Sequence, residues 1–240
     1  MKKILLLGDI HANYPALKAI HNYVRAYRFD RIINTGDFTV YSTFPNETIR
    51  WFRKKKKTVS ILGNTDRRIL RILKGKKLKR PKKDEKRVMY YWTSDNLFPE
   101  NIQYLKSLPR QTDLTIGNIR IGVFHGSCDD KDETLFPDTA QRRFRELAQN
   151  SPFQVHIMGH SHTPYYRIID GVHFINPGSA GRMFDGDPRA SFAILKIFSG
   201  KIAVEHFRIP YSVKAVIKGL KQNRLPDIYA KMYRVGKKLN

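Results

Sequence analysis

The chain has 240 residues, of which 45 are Lys or Arg and 21 are Asp or Glu, a formal net charge of +24 at pH 7. That length buries one large core without forcing a division, and the positive field attracts anions without choosing among phosphate esters, nucleic acid and an acidic assembly partner. The single cysteine, Cys128, excludes an intramolecular disulfide and any Cys-rich zinc site.

In chain order, the apolar run Ile4 to Leu7 is too short for a signal-peptide core or a membrane span, because Gly8-Asp9 ends it. The reading is a cytoplasmic protein with no membrane partner. Ile4 to Leu7 instead predicts a strand buried on both faces, and Tyr14-Pro15 opens a helix through Leu17, Ile20 and Val24. A second strand, Arg31 to Asn34, ends at Thr35-Gly36-Asp37. A helix around Glu47 to Lys54 follows, and then Thr58 to Leu62 ends at Gly63-Asn64. Strands alternating with helices imply right-handed crossovers and a parallel sheet, with ligands at the carboxyl-end loops.

Further on the pattern changes. Leu114 to Ile116, Ile119 to Phe124, Val155 to Met158, Tyr165 to Ile169, Val172 to Ile175, Phe192 to Phe198 and Ile202 to Phe207 are strand-like. Gly117-Asn118, Asp170-Gly171 and Ser199-Gly200 read as hairpin connections. β-α units followed by meandering strands predict two sheets packed face to face with helices outside. The expected organisation is one domain over 1–240, carrying a basic insertion at about 67–92 and a C-terminal helical tail at about 211–240. The insertion reads either as a solvated loop or as a lid that guides a polyanion, including nucleic acid, and Tyr90, Tyr91 and Trp92 beside it as core or as stacking platforms. The tail packs on its own sandwich or on a second copy, which leaves a homodimer open.

Five loops that follow predicted strands carry the polar residues: Gly8-Asp9-Ile10-His11, Gly36-Asp37, Gly63-Asn64-Thr65-Asp66, His125-Gly126 and Gly159-His160-Ser161-His162. Asp, Asn and His are ligands for borderline divalent ions, and the adjoining glycines let backbone bend around a cluster. Four of the eight histidines, His11, His125, His160 and His162, fall at these strand ends. His21, His156, His173 and His206 lie in other contexts and read as packed or surface residues. Cys128 reads as a small loop cysteine without a catalytic role.

This ordered set, closing with Gly159-His160-Ser161-His162-Thr163-Pro164 and Asn176-Pro177-Gly178-Ser179, resembles the calcineurin-like metallophosphoesterase family and its small prokaryotic phosphodiesterase branch. The resemblance implies an α/β (α+β) four-layer α-β-β-α sandwich of two mixed sheets. It also implies two divalent ions, one held by Asp9, His11, Asp37 and His162 and the other by Asp37, Asn64, His125 and His160, with Asp37 shared. Manganese is the expected metal, with nickel, iron and zinc as alternatives. A hydroxide bridging the two ions would attack a phosphate ester, and Asp37, Asn64 and Asp66 form the expected catalytic set.

At one position the chain departs from the family. Much of the family has a histidine after Gly-Asn that assists the leaving group, and here Thr65 stands in its place. A hydroxyl does not deliver a proton at neutral pH as an imidazolium does. The prokaryotic phosphodiesterase branch that the chain resembles often lacks that histidine too, so the resemblance implies a diester over a monoester. Asn13, Thr65 and Arg182 are the expected substrate contacts. Asn13 reads more readily as the cap of the helix that Pro15 opens, Asp66 equally as a helix cap or as a group orienting Thr65 or a water, and the Asn176 to Arg182 segment equally as a structural turn. A phosphodiesterase is the leading function. A phosphomonoesterase, a nuclease, a non-catalytic scaffold of the kind a retromer subunit provides, and a nucleic-acid-binding protein are the alternatives.

Overall fold

The computed structural model describes residues 1–240. The first half of the chain runs β1 (Lys2–Leu7), α1 (Tyr14–Tyr23), β2 (Arg31–Asn34), α2 (Pro45–Arg53), β3 (Thr58–Ser60), α3 (Asn64–Ile72), α4 (Asp84–Asn96) and α5 (Pro99–Ser107). The second runs β4 (Thr112–Ile116), β5 (Ile119–Val123), α6 (Gln141–Gln149), β6 (Val155–Ile157), β7 (Tyr165–Ile169), β8 (Val172–Asn176), β9 (Ala190–Phe198), β10 (Lys201–Ile209), α7 (Val213–Gln222) and α8 (Asp227–Val235).

Two five-stranded sheets result, in the orders β10-β9-β1-β2-β3 and β4-β5-β6-β8-β7. The β-α units make β1, β2 and β3 parallel neighbours. Strand β9 then adds antiparallel to β1 and turns the sheet into a mixed one. The second sheet is mixed as well, with β5, β6 and β8 parallel between antiparallel β4 and β7. All three hairpins turn where the sequence places them, with positive φ at Gly117, at Asp170 and Gly171, and at Ser199 and Gly200, the primed geometry that matches strand twist.

The alternation of β1 explains the layers. Ile4 and Leu6 point into a core between the sheets, with Ile33, Ile121, Val155, Ile157 and Leu195. Leu5 and Leu7 point to the opposite face, where they pack among residues of α1, α2, α3, α7 and α8. Phe144 and Leu147 of α6 cover the outer face of the second sheet. The order of layers is therefore helix, sheet, sheet, helix.

Helices α4, α5 and α6 go beyond the sequence expectation. Within the basic segment, Tyr90 is fully buried and Trp92 packs on the core, while Tyr91 stays exposed. The tail folds back on its own chain. Val216, Leu220, Tyr229 and Tyr233 join the largest core cluster, and the Tyr233 hydroxyl donates to the Tyr41 carbonyl at 3.0 Å. No helix is long and apolar enough to cross a membrane.

Candidate metal centre

Both sheets present the carboxyl ends of their parallel strands to one place. Asp9 and His11 follow β1, Asp37 follows β2, Asn64 opens α3 after β3, His125 follows β5, and His160 and His162 follow β6. The chain bends sharply there: φ is positive at Asp9, His11, Asp37, His160 and His162. For residues with a Cβ this conformation costs about 1–3 kcal/mol each and persists only where surrounding structure enforces it. The enforcement is visible in backbone bonds from Asp9 N to Gly36 O (3.1 Å) and from His11 N to Asp37 O (2.9 Å).

Three histidines are oriented from behind. His125 Nδ1 lies 2.9 Å from Thr35 O, His11 Nδ1 lies 3.2 Å from Thr39 O, and His162 Nδ1 bonds Arg182 O. A carbonyl only accepts, so each Nδ1 carries the proton and each Nε2 turns a bare lone pair inward. Those lone pairs meet other acceptors. His11 Nε2 and His162 Nε2 are 3.2 Å apart. Asn64 Oδ1 is 3.0 Å from both His125 Nε2 and Asp37 Oδ2. Asp9 Oδ1 is buried without a hydrogen-bond partner, 3.5 Å from His162 Nε2. Acceptors facing acceptors in a buried site repel one another unless a cation lies among them, so this donor set fits divalent metal. With the Asn64 amide turned about, its nitrogen would instead donate to His125 and Asp37, the arrangement expected of the metal-free site.

The carboxylates divide the labour. Asp37 Oδ1 accepts from Thr65 N and Thr65 Oγ1, both at 2.8 Å. Its Oδ2 stands 3.6 Å from both His11 Nε2 and His125 Nε2. Two compact groups can each hold an ion: Asp9, His11 and His162, and Asp9, Asp37 and His125. These groups share Asp9, whereas the expected division shares Asp37; the midway position of Asp37 Oδ2 is compatible with both. His160 belongs to neither group, but its ring lies 4.8 Å from that of His125, and its backbone N–H donates to Asp9 Oδ2 at 3.0 Å.

Electrostatics keep the ligands ready. Burial lowers His11 and His160 to about 4 and His162 well below its ordinary value, so all three are neutral near pH 7. Burial also pushes Asp37 up, but His125 and His11 outweigh it and hold the carboxyl down at about 2. Asp9 is raised by burial and by repulsion from Asp37, a penalty that positive charge in the site removes.

The ambiguous residues take the following places. Asp66 is a cap: its two oxygens accept from Phe38 N, Thr39 N, Thr39 Oγ1 and Gly63 N, which leaves none aimed at the metal cluster. These bonds give Asp66 a structural role at the start of α3, tying it to the loop after β2. Asn13 caps α1 through Ala16 N (3.1 Å), and its amide donates to Gly181 O (2.8 Å). Asn176 holds the turn, donating to Gly159 O and Ser161 Oγ. Arg182 does reach the edge of the site, 6% exposed, with its guanidinium 3.8 Å over the Tyr41 ring and 4.9 Å from that of Phe184.

The other four histidines stay apart from the cluster. His156 is packed among Phe124, Phe153 and Phe174, His173 bonds Tyr166, His206 bonds Asn176 O, and His21 meets Trp51. Burial and Asp129 push the Cys128 thiol up to about 12, far from a reactive thiolate. Sequence reasoning overlooked Thr35 and Thr39, whose carbonyls set two histidine tautomers. Ser179, in the segment that the sequence reads as a turn, donates its hydroxyl to Asp9 O at 2.7 Å. The only sequence signal for the two threonines is their position on either side of Gly36-Asp37-Phe38.

A family model described as the calcineurin-like phosphoesterase superfamily domain matches residues 1–200. The chain is 27% identical to a metallophosphoesterase of Sphaerobacter thermophilus, with a TM-score of 0.80 over 98% of this chain and 99% of the other. A hypothetical protein of Pyrococcus horikoshii OT3 superposes with a TM-score of 0.89 at 21% identity, over 99% of this chain and 100% of that one. An uncharacterized protein of Methanocaldococcus jannaschii is 28% identical over 241 aligned residues, 93% of this chain and 94% of its own length.

Proposed function

The chain belongs to the calcineurin-like phosphoesterase superfamily, and from that premise we propose that it is a dinuclear metal-dependent phosphodiesterase. Asp9, His11, Asp37 and His162 would hold one ion, and Asp37, Asn64, His125 and His160 the other. The observation that carries this reading is the placement of Asp37 Oδ2 3.6 Å from a bare histidine nitrogen on either side, with Oδ1 fixed by Thr65. Divalent ions held by these residues, manganese first among nitrogen- and oxygen-preferring candidates, would supply an activated water as nucleophile and positive charge for the phosphate oxygens.

The chain's own residues support a diester. The Thr65 hydroxyl proton points at Asp37 Oδ1, so this position offers no acid to a leaving group. Transfer from a monoester passes through a loose transition state that places charge on the leaving oxygen. A substrate that depends more on its nucleophile suits this site better. Arg182 supplies a phosphate contact. It is buried without a carboxylate, its Nε has no partner, and Nη2 meets only Met232 Sδ (3.7 Å) and Asn240 Oδ1 (3.5 Å). An unpaired buried cation costs several kcal/mol, a cost that a phosphate oxygen beside His162 offsets.

The test is turnover of bis-p-nitrophenyl phosphate and p-nitrophenyl phosphate by metal-stripped protein with manganese added back, beside Asp37→Ala. Manganese-dependent cleavage of the diester, lost in the variant, is the expected result. Dominant monoester cleavage overturns the diester preference. Absence of turnover with manganese, nickel, iron or zinc overturns the enzyme reading itself.

A further inference from the structure

A second feature adjoins the metal cluster. Asn64 lies on the wall of a cleft of about 600 Å³ that runs along α3 and the loop after it, bounded by Arg110 and the segment after His125. Nine lysines and arginines line it against one acidic residue, Asp132. Asp132 pairs with Arg67 and Lys131, and Arg68 bonds the Tyr90 hydroxyl at 3.1 Å. The remaining six, Arg71, Lys74, Lys77, Lys79, Arg80 and Arg110, form no ion pair. The apolar lining is Leu62, Leu70 and Leu78, so no aromatic ring offers a base a stacking surface.

Two independent observations therefore describe the departing half of the substrate. The cleft beside Asn64 is built to hold several closely spaced negative charges and is not built to hold bases. The Thr65 hydroxyl, tied to Asp37, leaves the departing oxygen without a proton. An alkoxide leaves poorly on those terms. A phosphate oxygen leaves well, since the second proton of a phosphate is lost near about pH 6.

We infer that the bond cleaved is a phosphoanhydride and that the leaving group is an oligophosphate chain seated in the cleft between Arg71 and Arg110. This rests on the phosphodiesterase reading, because the attacked phosphorus carries one ester and one anhydride substituent. Water oxygen bonds to that phosphorus while the P–O–P bond breaks. The bridging oxygen and its electron pair depart with the oligophosphate, and the protons of the water end on the products or in solvent. A nucleoside triphosphate would yield the monophosphate and pyrophosphate.

The experiment uses manganese-loaded full-length protein on adenosine di-, tri- and tetraphosphate, on a thymidine oligonucleotide, and on bis-p-nitrophenyl phosphate. Arg71→Gln/Lys74→Gln/Lys77→Gln is the variant; all three positions are exposed, so its melting temperature should match the parent. In the parent, kcat/KM should rise with phosphate chain length. The ratio of triphosphate to bis-p-nitrophenyl phosphate turnover should fall about tenfold or more in the variant, since charge-assisted contacts are lost. Cleavage of bis-p-nitrophenyl phosphate without any anhydride cleavage overturns the inference and leaves the phosphodiesterase reading intact. Preference for the oligonucleotide overturns it in favour of a nuclease. Failure on every substrate overturns both.

Discussion

Replacing Gly63 by alanine should damage catalysis without touching a ligand. Gly63 has φ −81° and ψ −179°, a conformation open to any residue, so alanine brings no backbone penalty. The effect is steric. An added Cβ would stand 2.0 Å from Asp37 Oδ1 and 2.4 Å from Asp37 N, where ordinary contact begins at 3.4 Å. Asp37 must therefore move by about 1.4 Å. That motion breaks the two 2.8 Å bonds from Thr65 and the equal spacing of Oδ2 between His11 and His125.

A misplacement of about 1 Å costs roughly 10²-fold, so kcat/KM on bis-p-nitrophenyl phosphate should fall about 100-fold, or ~2.7 kcal/mol of transition-state stabilisation. Manganese affinity, measured by calorimetric titration of stripped protein, should weaken in parallel. Overpacking should cost about 1–3 kcal/mol of stability. Gly117→Ala is the control, because a Cβ there meets nothing within 4 Å and only its positive φ is strained. It should lose some stability and keep its activity. A Gly63→Ala protein with activity within threefold of the parent and unchanged manganese affinity would refute the reasoning.

Three other outcomes are expected. Thr65→Val removes the hydroxyl donor to Asp37 Oδ1, and manganese should bind about 10–100-fold more weakly in titration. Asp66→Ala leaves three buried backbone N–H groups, of Phe38, Thr39 and Gly63, without their acceptor. At about 1–3 kcal/mol each, the loss is at least ~3 kcal/mol, and calorimetry should show a melting temperature lower by roughly 6–12 °C. His156 is lowered by burial from 6.5 to about 4, so between those values the unfolded chain binds a proton that the native protein refuses. Its contribution to stability is intact above pH 6.5 and lost as pH falls towards 4, about 3 kcal/mol in all. His156→Phe should flatten urea-derived stability between pH 7 and pH 4.5 by most of that amount, roughly 2 kcal/mol, relative to the parent, and an unchanged slope would sink the assignment.

Much of the site was legible in the residues because a metal cluster at the ends of parallel strands needs Asp, Asn and His directly after short apolar runs. Asp9, His11, Asp37, Asn64, His125, His160 and His162 all stand there, and folding gathers the side chains of six of them into one cluster, which His160 joins through its backbone N–H to Asp9 and its ring beside His125. The layers were equally legible, because the unbroken apolar run of β1 is consistent only with burial on both faces. What local sequence leaves open is the direction in which a short polar side chain turns. Asp66 and Asn13 are residue types that serve as ligands and as caps alike, and the choice falls to backbone donors such as Phe38 N and Thr39 N, about 27 residues away from Asp66. The inward lone pairs of His125 and His162 depend on the carbonyls of Thr35 and Arg182, reached only when both sheets are packed. The cationic cleft has the same origin: a run of Lys and Arg becomes a cavity only when α3, Arg110 and the loop after His125 enclose it. Sequence determines which groups exist and which strand each follows, because both are local. Which acceptors face one another, and which cations stay unpaired, is decided by contacts between distant segments that exist only in the folded chain.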